Sequence, residues 1–324
     1  MLASANSGKG GHYTLQSSEF QQRLAGGYHA LMRRWLPESR PRAVVQIIHG
    51  MAEHSGRYAR LAAALTGAGY AVYAHDLPGH GPQVAPEARG HFADRRGWRL
   101  AVATIRDAQR LAQQEQPKLP LFMLGHSLGS FLLQHYVADF GETLAGAVFS
   151  ATTGEFGPMR RVGLALVRAE ALLYGRRHPS AVGEAISFKN FNRKFRPART
   201  GFDWLSRDPA EVDRYVSDPC CGFRCTTGTW LDLLECVGKL TEPARLRRVP
   251  KSLPVLMIAG SDDPVCAGPK GPRALERCYR TAGLRDVYTR IYPQGRHELF
   301  NDTCRDEVIA ELLSWIKNHL PAAK

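Results

Sequence analysis

Nowhere among the 324 residues does an apolar run approach the ~20 needed to cross a bilayer as a helix. A chain threaded through a membrane by helices is therefore excluded. The opening stretch, MLASANSGKGGHYTLQ, lacks the basic start and apolar core of a secretory signal, so a cytoplasmic address is the default expectation. Cysteine is missing from the first 219 residues, and all seven lie between Cys220 and Cys304. An odd number confined to one part of a long chain points to free thiols, not a disulfide framework. Cys220, Cys221 and Cys225 form no C-x-x-C pair and have no suitably spaced histidine, so no metal and no other cofactor is expected.

Acidic residues are also scarce: 30 Asp and Glu stand against 43 Lys and Arg, a net charge of +13. Much of that excess falls in residues 160–199, where ten basic side chains meet two acidic ones. No nucleic-acid-binding motif accompanies it, and no nucleic acid partner is expected. A local basic face of this kind suits anionic lipid or plain solvation. Internal repeats and low-complexity tracts are absent too.

What is present is a regular alternation. Strand-like runs at 43–50, 71–76, 120–125 and 144–150 are separated by helical patterns at 57–70, 97–116 and 127–140. The rhythm returns with strands at 254–260 and 287–293 and helices near 270–281 and 303–319. Alternation predicts an α/β fold with a mostly parallel, doubly wound sheet. Residues 154–250 carry no buried strand pattern and read as helices and loops, hence an inserted, mainly helical cap. The expected division is a core over 1–153, a cap over 154–250 and the rest of the core over 251–324.

Within that frame, LFMLGHSLGS at 121–130 contains G-x-S-x-G between a strand and a helix. With 31 glycines the pattern arises by chance in roughly one such chain in five, so its setting carries the weight. Strand, tight turn and helix together would lift Ser127 clear of the sheet as a nucleophile. A serine needs a base, and the base needs an orienting acid. In a doubly wound sheet these belong on loops after strands. Ser261-Asp262-Asp263-Pro264 follows one strand and Gln294-Gly295-Arg296-His297-Glu298 another, giving the order Ser, Asp, His. The oxyanion formed on attack needs N–H donors. The Leu128 amide follows the nucleophile, and the Met51 amide follows His49-Gly50 on the first such loop.

These stretches resemble the monoacylglycerol lipase and lysophospholipase branch of the α/β-hydrolases, often called serine aminopeptidase-like. The matching segments are HG-x-x-EHSGRY at 49–58, D-x-x-GHG at 76–81, GHS-x-G at 125–129, GS-x-D at 260–263 and GRHELFND at 295–302. The resemblance implies Ser127 as nucleophile, His297 as base and Asp263, not Asp262, as orienting acid, with Met51 and Leu128 supplying the oxyanion amides. It also implies a serine esterase of lipid esters, such as monoacylglycerols or lysophospholipids, working without a cofactor. One departure is Pro82-Gln83 after GHG, where relatives usually carry a small polar residue.

Two other readings share the fold: an aminopeptidase-like peptidase on the same triad, and a binding protein without activity. The first needs an anionic or carbonyl group to capture a substrate amine; the second usually lacks part of the triad. Dehalogenase or epoxide hydrolase chemistry would need an acid at position 127. Of the residues near the site, His49, His80 and His126 are expected to pack or fix loops, and Glu53 to orient the oxyanion loop. Cys266 is open between an accessible thiol and packing. In 156–177, Met159, Val162, Leu166, Leu172 and Leu173 share one side of a helix while Arg161, Arg168 and Arg176 fall on another. That pattern fits either a cap helix on the core or a peripheral contact with an anionic membrane surface through residues 156–199.

Overall fold

The structure, a computed structural model, describes residues 16–154, 157 and 159–321. Residues 1–15 of the opening stretch in which no signal is expected, and Phe156 and Pro158 of the basic amphipathic segment, lie outside the described residues.

Among the described residues eight strands form one sheet: β1 (Gln16–Arg23), β2 (His29–Leu36), β3 (Ala43–Ile48), β4 (Tyr70–His75), β5 (Leu121–His126), β6 (Gly146–Ser150), β7 (Val255–Gly260) and β8 (Val287–Tyr292). Their order across the sheet is β1-β2-β4-β3-β5-β6-β7-β8. The last six are parallel to one another, and β1 and β2 add an antiparallel edge. The alternation in the sequence locates those six parallel strands but not the first two. β1, QSSEFQQR, offers Phe20 as its sole apolar side chain, so hydrophobic periodicity has nothing to register.

Every residue of β3 through β7 is buried, as expected for parallel strands covered on both faces. Alternate side chains of β3 enter opposite cores: Val44 and Ile48 on one face, Val45 and Ile47 on the other. Each such side chain contributes roughly 1.5–3 kcal/mol by leaving water.

The second of those cores is completed by α1 (Ala59–Gly67), through Leu61 and Leu65 one turn apart, and at its far end by Leu312 and Trp315. The first is completed by α2 (Gly97–Glu115) and α3 (Leu128–Phe140). Between β6 and β7 the described residues form six α-helices and no strand of the sheet: α4 (Met159–Tyr174), α5 (Ala181–Ile186), α6 (Phe188–Phe191), α7 (Pro209–Ser217), α8 (Thr227–Val237) and α9 (Pro243–Leu246). After β7 come α10 (Lys270–Thr281) and, after β8, α11 (Arg305–Asn318), which carries Leu312 and Trp315.

No helix among the described residues is long and apolar enough to cross a membrane. The loops leaving β3, β5, β7 and β8 all sit at the C-terminal ends of parallel strands, the edge where such sheets place their ligands.

Candidate active site

Ser127 joins the last residue of β5 to the first of α3 with φ +52° and ψ −117°, a left-handed conformation that serine rarely adopts. Strain of this kind costs on the order of 1–3 kcal/mol and persists only where surrounding contacts enforce it. Here the Ser127 amide donates to the Ser150 carbonyl at 2.9 Å, and the Ser127 carbonyl accepts from the amides of Ser130 and Phe131. The flanking glycines are steric requirements. A Cβ on Gly125 would strike the Gly129 carbonyl, and one on Gly129 would strike that of Ile48.

Asp263 and His297, 34 residues apart, are in contact. The imidazole Nδ1 lies 2.9 Å from Oδ2 and 3.0 Å from Oδ1, with both side chains buried, at 1% and 3% exposure. The carboxylate also accepts from the Val265 amide at 2.8 Å and from the Cys266 thiol at 2.7 Å. Burial acts to raise its pKa, but His297, Cys266 and the Val265 amide outweigh it and hold Asp263 below the usual carboxylate value. Asp262 goes elsewhere, to an exposed pair with Lys194 Nζ at 2.8 Å. Cys266 is fully buried, so it is packing and a hydrogen-bond donor, and not an accessible thiol. Burial and the Asp263 charge push that thiol well above its ordinary pKa.

The His297 ring packs against Trp204 and His126, with centroids 4.9 and 4.8 Å away. His126 directly precedes Ser127, and the backbone of Gly50 passes so close that a Cβ there would lie 3.3 Å from the Ser127 Cβ. The elbow, the His297 loop and the loop after β3 therefore meet at one point.

That third loop is heavily tied down. The Gly50 amide donates to Glu53 Oε1 at 2.5 Å, and the Ala52 amide to His80 Nε2 at 3.2 Å. The Ala52 carbonyl accepts from the Gly222 amide and the Tyr215 hydroxyl. Between them, the Met51 amide donates to no protein group among the described residues. Leu128, at the first turn of α3, likewise carries one of the amides that a helix start leaves unpaired. Met51, Ser127 and Leu128 line a cavity of about 560 Å³ whose other walls include Phe131, Leu166 and Leu234.

The neighbouring histidines are structural, as expected. His49 donates to the Gly50 carbonyl and accepts from the Leu77 amide, and burial pulls its pKa down to about 3. His80 is also at about 3, and His126, bonded to Ser150 Oγ, at about 4, each because burial disfavours the charged ring.

Arg57 and Glu298 were not singled out by sequence reasoning. Arg57 bonds both carboxylate oxygens of Glu298, at 2.5 and 2.6 Å, and Glu53 at 2.9 Å. All three fall inside the matched segments EHSGRY and GRHELFND, which marks the residues but not their pairing. Pro82 and Gln83 are exposed; Gln83 accepts from Gln21 on the edge strand β1 and lines neither cavity beside Met51.

Among the described residues one cluster has metal-like composition: His54, Asp218 and Cys221 offer ligand atoms within 4.8 Å of one another. His54 Nδ1 already accepts from the Gly56 amide, so Nε2 carries the proton and donates to Asp218 at 2.9 Å. A metal-bound histidine donates from its second nitrogen, and this one cannot.

The family described as serine aminopeptidase, S33, matches residues 39–304. A monoacylglycerol lipase of Mycolicibacterium smegmatis is 30% identical over 300 residues, 91% of this chain and 95% of that one. The monoglyceride lipase of Mus musculus is 28% identical over 305 residues, 92% and 90% of the two chains. Among solved structures, a thermostable carboxyl esterase from Bacillus coagulans in complex with glycerol aligns with a TM-score of 0.86 at 27% identity, over 95% of this chain and 100% of that one.

Proposed function

The chain belongs to the serine aminopeptidase S33 family, in the monoacylglycerol lipase branch of the α/β-hydrolases, and from that premise we propose that it cleaves carboxylic esters of lipid type through an acyl-enzyme. Ser127 Oγ attacks the ester carbonyl carbon as its proton passes to His297. Met51 and Leu128 amides receive the oxyanion; one such donor is worth ~2.7–4 kcal/mol of barrier. Asp263 fixes the imidazole tautomer and stabilises its charged form. The alcohol then leaves with the proton held by His297. Water, deprotonated by the same ring, releases the acid and regenerates the serine.

The observation that carries this reading is the buried Asp263–His297 pair, 2.9 Å apart, beside a serine held in a strained elbow. The apolar cavity and relatives named as monoacylglycerol lipases support a substrate of monoacylglycerol or lysophospholipid class. The peptidase reading finds less support, since no carboxylate lines that cavity among the described residues to meet a substrate ammonium. We assign residues 154–250 as the cap.

A membrane contact forms part of the proposal. α4 buries Gly163, Val167 and Glu170, lines the cavity with Met159, Val162 and Leu166, and turns Leu172 and Leu173 outward, at 88% and 75% exposure, so the five apolar residues do not share one free side. Arg168 and Arg176 are paired with Glu235 and Asp232. Two exposed leucines on a helix whose Arg161 is also exposed suit an anionic bilayer surface. Co-sedimentation with anionic but not neutral vesicles, lost in Leu172→Glu/Leu173→Glu, is the expected result; no binding to either removes this part.

The main test is labelling by a fluorophosphonate, with turnover measured on p-nitrophenyl esters of rising chain length, monoacylglycerol, lysophosphatidylcholine and aminoacyl amides. Ester turnover with labelling supports the reading. Preference for the amides overturns the substrate, and absence of labelling overturns the mechanism.

A further inference from the structure

A second cavity, of about 530 Å³, adjoins the first and shares Met51, Phe188 and Trp230 with it as lining. The two differ sharply in charge. The first holds one cationic side chain, Arg160, whose guanidinium donates to the Leu234 carbonyl. The second is lined by Lys189, Arg193, Arg196 and Arg224, all exposed, above walls that include Phe202 and Phe223.

Solvation accounts for a run of charges on an open face, and two neighbours illustrate it: Lys194 is taken by Asp262 and Arg199 by Asp213. The residues that line the cavity are different. Among the described residues its single carboxylate is Glu184, which is paired with Arg224, and Lys189, Arg193 and Arg196 have no carboxylate partner. Three uncompensated cations at one concave site form a receptor for a multiply charged anion. Guanidinium groups in particular match the paired oxygens of a phosphate.

Met51 gives the relation to chemistry. Its amide is the candidate oxyanion donor, and the residue lines both cavities. An ester whose carbonyl oxygen reaches that amide can extend its acyl chain into the apolar cavity and its alcohol into the basic one. We propose that the basic cavity is the subsite for the leaving alcohol and that this alcohol carries a phosphate group, so that the chain discriminates in favour of lysophospholipids with an accessible phosphate over neutral monoacylglycerols. The proposal rests on the ester hydrolase reading above and deepens it.

Binding and turnover test it separately. At 150 mM salt, calorimetry on the wild-type protein compares 1-O-octylglycerol 3-phosphate, 1-O-octylglycerol and inorganic phosphate, none of which is hydrolysed. The phosphate ether is expected to bind at least tenfold more tightly than either of the others. Arg193→Gln/Arg196→Gln should bring it within threefold of the neutral ether without changing the latter. Lys194→Gln/Arg199→Gln, which removes equal charge outside the cavity, should leave the preference intact. Equal affinity of the two ethers, inorganic phosphate binding as tightly as the phosphate ether, or a preference that survives in Arg193→Gln/Arg196→Gln would overturn the proposal. Turnover of the matching octanoyl esters separates the two levels. Hydrolysis of the neutral ester with no preference for the phosphate ester removes the subsite and leaves the hydrolase standing, whereas no hydrolysis of either, with the binding preference intact, does the reverse.

Discussion

Arg57 grips both carboxylate oxygens of Glu298 at 2.5 and 2.6 Å, joining residues 241 positions apart. Through its third contact, to Glu53, it ties the loop that carries Met51 to the loop that carries His297. All three side chains are nearly sealed from water. Burial disfavours the Glu298 carboxylate, but Arg57 outweighs it and holds the pKa below the ordinary value. Removing the cation leaves two buried carboxylates facing each other. Arg57→Gln is expected to lose about 3–5 kcal/mol of stability, as broken buried ion pairs do. Urea unfolding of the purified protein reads that loss directly, and a change under 1 kcal/mol would contradict it.

The Cys266 thiol donates to the same Asp263 oxygen that faces His297. Cys266→Ala should therefore lower kcat about fivefold with KM little changed, for a hydrogen bond worth about 1 kcal/mol, and Cys266→Ser should restore part of it. Steady-state kinetics on one ester decides this. Iodoacetamide should also leave Cys266 unmodified in the native protein, because the thiol is buried and held protonated. Its rapid alkylation, mapped by peptide mass, would contradict that.

Stability should fall in mild acid. His49, His75 and His80 have pKa values of about 3 and His126 about 4 in the folded state, against 6.5 ordinarily, because burial penalises the charged ring. Between those values the unfolded chain binds protons that the folded chain refuses. The stability is thus fully present above pH 6.5 and drains away as pH drops, at about 1.4 kcal/mol per pH unit for each ring. Asp263 and Glu298, with folded pKa values below ordinary ones, act in the same direction at lower pH. The urea midpoint should be flat from pH 8 to 7 and fall steeply below pH 6; a constant midpoint down to pH 4.5 contradicts the assignment of neutral rings.

Gly129→Ala should disable the site more than it unfolds the protein. The added methyl meets the Ile48 carbonyl, so β3 and the elbow must move apart. Overpacking of this kind costs about 1–3 kcal/mol. Ester turnover should fall at least a hundredfold while the circular dichroism spectrum stays folded. Turnover within threefold of wild type would contradict it.

Much of this was legible in the sequence because burial on both faces writes long apolar runs, and Ala43–Ile48 or Val255–Gly260 can be little else than inner strands. As candidates, Ser127 and Asp263 were legible because each follows such a run, and His297 because it follows β8, an edge strand of the alternation in which Val287 and Tyr292 alone are buried. β1 was not, since an edge strand is held by backbone hydrogen bonds and needs few apolar side chains. The facing of α4 was not either: the apolar pattern cannot say that Met159 and Leu166 line the cavity while Leu172 and Leu173 stand exposed. The tie from Arg57 to Glu298 and the basic cavity share a different obstacle. Each assembles residues from distant segments, Met51, Lys189, Arg193 and Arg224 in the latter case, and adjacency of that kind exists only after folding.

The central claim is that Ser127 becomes covalently acylated. Intact-mass spectrometry of the protein mixed with a slowly hydrolysed p-nitrophenyl ester tests it most directly. The account predicts an increase of one acyl group, mapped to the peptide bearing Ser127, and absent from Ser127→Ala, whose turnover falls at least a thousandfold. An adduct on any other residue, or undiminished hydrolysis by Ser127→Ala, would contradict it.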